Sequence, residues 1–126
     1  MPLRLTTHNV ANVDSAGILV FLAGAQRHVV PHGSFAFHGV SIVPTPGQAI
    51  YERDLRQSLD YVLAEQRRIG AVYVERTRMS EEEVAEIFRT PRTIHATDAV
   101  GFGIVDVVRE VTIPAGSPLI GLVFPR

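Results

Sequence analysis

The sequence predicts a single α/β domain over residues 1–126, and three observations carry that expectation. Short β-prone runs at Leu3–Thr7, Gln26–Val30, Phe35–Val40 and Ile104–Val108 are set apart by loops containing Pro and Gly. Apolar residues recur at helical spacing over 49–76, and a second helical pattern follows from Ser80. A chain with 46% apolar and 20% charged residues has enough apolar surface for one core and lacks the composition of a disordered segment.

Leu3-Arg4-Leu5-Thr6-Thr7 alternates as a short strand, and a polar loop, Asn9–Asp14, follows it. The segment 16–25, "AGILVFLAGA", has no polar side chain, which predicts a helix buried on every side. Asp14 suits the positive end of that helix dipole. Ser15, at the mouth of the segment, has two readings. Its hydroxyl can accept an orphan N–H of the first turn as an N-cap, or the same geometry can aim it as a nucleophile beside backbone donors.

Gln26–Ser34 reads as a strand broken by the Pro31-His32-Gly33 turn, and Phe35–Val40 as a strand ending at His38 or Gly39. Ser41–Gln48 is a loop with two prolines. One long helix is expected from Ala49 to Arg76, with Tyr51, Leu55, Leu59, Val62, Leu63 and Ile69 as its apolar stripe. Ser80-Glu81-Glu82-Glu83 is a capping box that starts a second helix, stopped by Pro91. Ile94–Gly103 predicts a helical turn closed by glycines, and Ile104–Val108 a strand. The tail 111–126 is expected to pair as a β hairpin or to lie along a neighbouring subunit.

Composition removes several chemistries. A net charge of −1 supplies no field to gather nucleic acid or anionic lipid, so neither is an expected partner. No stretch approaches the roughly 20 apolar residues of a membrane span. Residues 16–25 match the core of a signal peptide in length, but a polar stretch ending in Asp14 separates them from Arg4. The chain reads as soluble and cytoplasmic. There is no Cys, and all 12 basic residues are Arg. Thiolate nucleophiles, a Ser–Lys dyad, a Schiff base and a phosphate-loop Lys are therefore excluded. A hydroxyl nucleophile would find its base among His8, His28, His32, His38 and His95. The spacing of His28 and His32 suits a metal only on a helix, which Pro31 opposes, so no metal site and no cofactor are expected. Arg53/Arg56, Arg67/Arg68 and Arg76/Arg78 lie among acids and read as a solvated, ion-paired face.

Four stretches in order, "VDSAGILVFLAGA", "FAFHGV", "SIVPTPGQA" and "ATDAVGFGIVD", resemble the proteolytic subunit of Clp protease, a serine peptidase family of crotonase-like fold. The resemblance covers residues 3–110. It implies a crotonase/Clp-protease-like βαβ spiral with the N-terminal half absent, Ser15 as nucleophile, His38 as general base and the Ala16 N–H as an oxyanion donor. It implies peptide or unfolded-protein substrates, a homo-oligomer contacted through the long helix, and room for an ATP-dependent unfoldase as partner. Two departures stand out. The position of the family's triad Asp, fifteen residues before Asp106, holds Pro91. The Gly-rich turn that carries the family's second oxyanion donor has no counterpart. The readings are therefore an active peptidase subunit, or an inactive homologue serving as an oligomeric structural or binding subunit. A crotonase-type acyl-thioester enzyme is the third, and it needs the same second N–H.

Overall fold

A computed structural model describes residues 3–121 of the chain. Two three-stranded sheets hold the strands. The first is wholly parallel, in the order β1 (Thr6–Asn9), β3 (Gln26–Val29), β6 (Val107–Val108). In the second, β2 (Asn12–Asp14) runs parallel to β4 (Ser34–Phe37), and β5 (Arg92–His95) pairs antiparallel on its other side. Parallel strands need crossover connections. Helix α1 (Ala16–Leu22) lies in the connection that joins β1 to β3 and β2 to β4. Helices α2 (Glu52–Arg76) and α3 (Glu81–Arg89) fill the passage from β4 to β5, and α4 (Ala96–Ala99) follows β5 directly.

The core forms where α1, α2 and the inward faces of the strands meet. Ile18, Leu22, Val29, Phe35, Phe37, Ile94 and Ile104 are its largest fully buried side chains. Alternation along β4 sends Phe35 and Phe37 inward and leaves Ser34 and Ala36 partly exposed. The Phe21 ring lies 4.9 Å from that of Phe35, and Phe37 meets Tyr73 of α2 edge-on at 5.3 Å. Phe35→Ala is expected to cost about 3–5 kcal/mol, because a large ring is deleted from a site that cannot collapse. A urea unfolding midpoint measures it.

Several elements differ from the sequence expectation. Helix α1 stops at Leu22, and it buries only the face carrying Ile18, Phe21 and Leu22, while Val20 is 71% exposed. Just past its end, Gly24 packs so close to Thr7 that a Cβ would stand 2.3 Å from Thr7 Oγ1. Asn12–Asp14, read as loop, is a strand because β4 supplies a partner. Ile94 and His95, read at the start of a helical turn, are likewise drawn into the sheet by β4 as the end of β5. The expected strand over Ile104–Val108 shrinks to two residues, since Ile104 and Val105 turn into the core instead. The first strand lies at Thr6–Asn9 rather than 3–7. In the tail, residues 111–121 contain a turn at Ala115–Gly116 and no strand, as Pro114 and Pro118 have no N–H to donate. Residues 122–126 of the expected hairpin lie outside the described residues.

Two arginines tie the helices together. Arg76 donates from Nε to Leu22 O at 3.0 Å and from Nη2 to Gly24 O at 3.1 Å, so a cation covers the carbonyl end of α1. Arg27 donates from Nη1 to Arg76 O at 2.7 Å, which does the same for α2. Burial, and then the charge of Arg76, push the Arg27 guanidinium below its ordinary range. Arg76, read in the sequence as part of a solvated, ion-paired face, is instead bonded to backbone carbonyls.

Candidate active site

Ser15 sits where β2 gives way to α1. Its N–H donates to Ala36 O at 3.0 Å, carrying the β2–β4 ladder one step past the Asp14–Ala36 pair. Its backbone has φ 49° and ψ −119°, the only positive φ outside glycine among the described residues. For a residue with a Cβ, such a conformation costs about 1–3 kcal/mol and persists only where the surroundings hold it. Here the ladder bond to Ala36 holds one side, and Ile18 N–H donating to Ser15 O at 3.0 Å holds the other.

The hydroxyl makes no capping hydrogen bond to α1. Ser15 therefore stands at the N-cap position of α1 without acting as a side-chain cap. A sharp strand-to-helix turn with a strained Ser is the geometry by which hydrolases lift a nucleophile clear of the sheet. The half-buried Ser15 is followed by an exposed Ala16, whose N–H opens the helix and has no carbonyl within it to bond.

His38 is the first residue past β4, so it follows the strand that neighbours the one leading to Ser15. Both candidates thus lie at the carboxyl ends of adjacent parallel strands, where α/β sheets place their ligands. The imidazole is exposed, and its Nδ1 lies 2.7 Å from Gly39 O. A carbonyl only accepts, so this contact calls for the proton on Nδ1, which in a neutral ring leaves Nε2 as the acceptor. Gly39 itself is required by packing, since a Cβ there would stand 2.4 Å from Phe88 O.

The β4–β5 ladder ends at the Phe37–Arg92 pair, so His38 and Pro91 are the first residues beyond it on the two strands, and position 91 offers no carboxylate. Glu86 is committed to Arg89 Nη1 at 3.2 Å and to Thr90 Oγ1 at 3.0 Å. Asp14 is exposed and its Oδ1 accepts from Asn12 Nδ2.

The other histidines are elsewhere. His8 and His28 meet edge-on at 5.5 Å across β1 and β3, and His8 Nε2 donates to Arg109 O at 3.1 Å. His32 lies in the turn before β4, and His95 precedes α4. Among the described residues, no group of three or more His, Asp or Glu is placed to hold a metal ion. The late "ATDAVGFGIVD" stretch is structural in what it touches. Ala96, Ala99 and Val105 are buried, and Gly103 takes φ 68° against Arg78. Asp106 Oδ2 accepts from Arg27 N–H at 2.8 Å.

Residues 1–112 match the family model of Clp protease, and the chain belongs to that family of proteases. No curated protein matches the chain. Among the described residues, no helix is long and apolar enough to cross a membrane.

Proposed function

We propose that the chain is a Clp-like serine peptidase subunit of crotonase-like spiral fold, hydrolysing peptide bonds with Ser15 as nucleophile and His38 as general base. The observation that carries this reading is the strained backbone of Ser15, held at φ 49° with its hydroxyl free of any cap bond. Strain of this kind is kept where it serves a site. His38 Nε2 takes the hydroxyl proton as Oγ attacks the scissile carbonyl carbon, and the tetrahedral oxyanion meets the Ala16 N–H. The imidazolium then protonates the leaving amine, and water repeats the sequence on the acyl-enzyme. The α2 stripe supports self-association: Leu55, Leu59 and Leu63 remain exposed, as do Tyr51 and Tyr61. In this reading the subunit works in a cytoplasmic homo-oligomer on unfolded peptide segments, with an ATP-dependent unfoldase as a candidate feeder.

A fluorophosphonate probe followed by peptide mass spectrometry tests the proposal. The expected adduct is on Ser15, and His38→Ala is expected to slow its formation by about 10³-fold or more. An unlabelled Ser15 in folded protein overturns the peptidase. The second reading, an inactive assembling homologue, is favoured by one observation, a proline rather than a carboxylate at position 91, just beyond the β4–β5 ladder. It expects no adduct and an oligomer unaffected by changes at Ser15.

A further inference from the structure

A catalytic imidazole must keep its proton on Nδ1 if Nε2 is to accept one, and acid-oriented triads use a carboxylate to enforce that. Position 91 provides none. We propose that Gln66 is a positioning residue for His38, acting through the peptide group between Gly39 and Val40. The kinetic part of this proposal rests on the peptidase reading above, whereas its structural part does not.

The Gly39 carbonyl that accepts from His38 Nδ1 at 2.7 Å belongs to a loop beyond β4, where nothing in a sheet ladder fixes its direction. The same planar unit carries the Val40 N–H, and in a trans peptide C=O and N–H point opposite ways. Val40 N–H donates to Gln66 Oε1 at 3.2 Å. Holding the N–H therefore aims the carbonyl. The amide orientation of Gln66 follows from chemistry, because its nitrogen cannot accept the Val40 proton. Gln66 is half-buried on the 25-residue helix α2, so its anchor is a rigid one. Gly39 lies so close to Phe88 O that no Cβ would fit, which leaves the peptide little room on that side.

The result is a chain of two hydrogen bonds, imidazole N–H to carbonyl and amide N–H to carboxamide, each polarising the other. It carries no net charge. It therefore selects a tautomer and a ring orientation without supplying the counter-ion of a triad carboxylate.

The ring nitrogens of His38 in full-length protein report the tautomer directly by ¹⁵N NMR in alkaline solution, where imidazoles are neutral. Wild-type protein is expected to hold the proton on Nδ1. Gln66→Met removes the acceptor at similar length. It is expected to move the tautomer ratio toward Nε2–H and to slow fluorophosphonate labelling of Ser15 by about fivefold, the equilibrium factor of one neutral hydrogen bond. Gln66→Glu keeps an acceptor and is expected to preserve the wild-type tautomer. Wild-type His38 protonated on Nε2, or a Gln66→Met ratio equal to wild type, overturns the proposal, as does loss of the tautomer in Gln66→Glu. The wild-type measurement stands even if Gln66→Met does not fold. The expected tautomers with an unlabelled Ser15 uphold the positioning by Gln66 and overturn the peptidase.

Discussion

Pro91→Asp is expected to raise the rate at which Ser15 is acylated by about 10²- to 10⁴-fold, measured with a fluorogenic peptide or the same phosphonate. The upper figure is the loss seen when a triad is deprived of its orienting acid. Register supplies the reason for choosing this position, since residues 91 and 38 are the first beyond the Phe37–Arg92 pair that ends the ladder. Position 91 is exposed and precedes β5, so a carboxylate there keeps most of its hydration. It would supply the charge that the Gly39 carbonyl lacks, at the moment the ring becomes an imidazolium. An unchanged rate in folded Pro91→Asp protein would mean that orientation of His38 is not what limits the site.

The second large effect concerns Ser15 itself. Ser15→Gly is expected to abolish acylation, with losses on the order of 10⁶-fold for a serine nucleophile. The same change is expected to raise stability by about 1 kcal/mol, because glycine accepts φ 49° without the Cβ clash. Ser15→Ala separates the two effects. It removes the hydroxyl but keeps the Cβ, and with no cap bond to lose its stability should stay close to wild type. Urea midpoints of the three proteins give the ordering. A Ser15→Gly protein less stable than wild type would remove the strain, and with it the observation on which the proposed function stands.

Much of the scaffold was legible in the residues. The Ser80–Glu83 box forms both of its hydrogen bonds, at 3.1 Å and 2.8 Å. The long helix and the strands either side of the Pro31–Gly33 turn also form, although α2 begins at Glu52 rather than Ala49 and β4 ends at Phe37, short of His38. These are local signals, decided within a few residues. What escaped was decided at a distance. Asn12-Val13-Asp14 has no strand composition and becomes one only by pairing with β4. The apolar run of α1 has no polar residue to mark its outer face, so the exposure of Val20 could not be read from it. At the candidate site, the order of stretches pointed to Ser15 and His38, but nothing in "VDSAG" requires a positive φ. Gln66 lies 28 residues beyond His38, amid the charged residues of a surface helix, and only the fold brings its carboxamide to Val40.

The guanidinium of Arg76 closes the far end of the short helix whose first turn presents Ser15. Seven residues make too little helix to persist alone, so α1 borrows its permanence from the longer one. Fraying of α1 would first have to release those two bonds and lift α2 from its seat. The Ser15 hydroxyl is thus carried on a part that is tied to the longer helix. Any breathing that blunts it is shared by the whole domain.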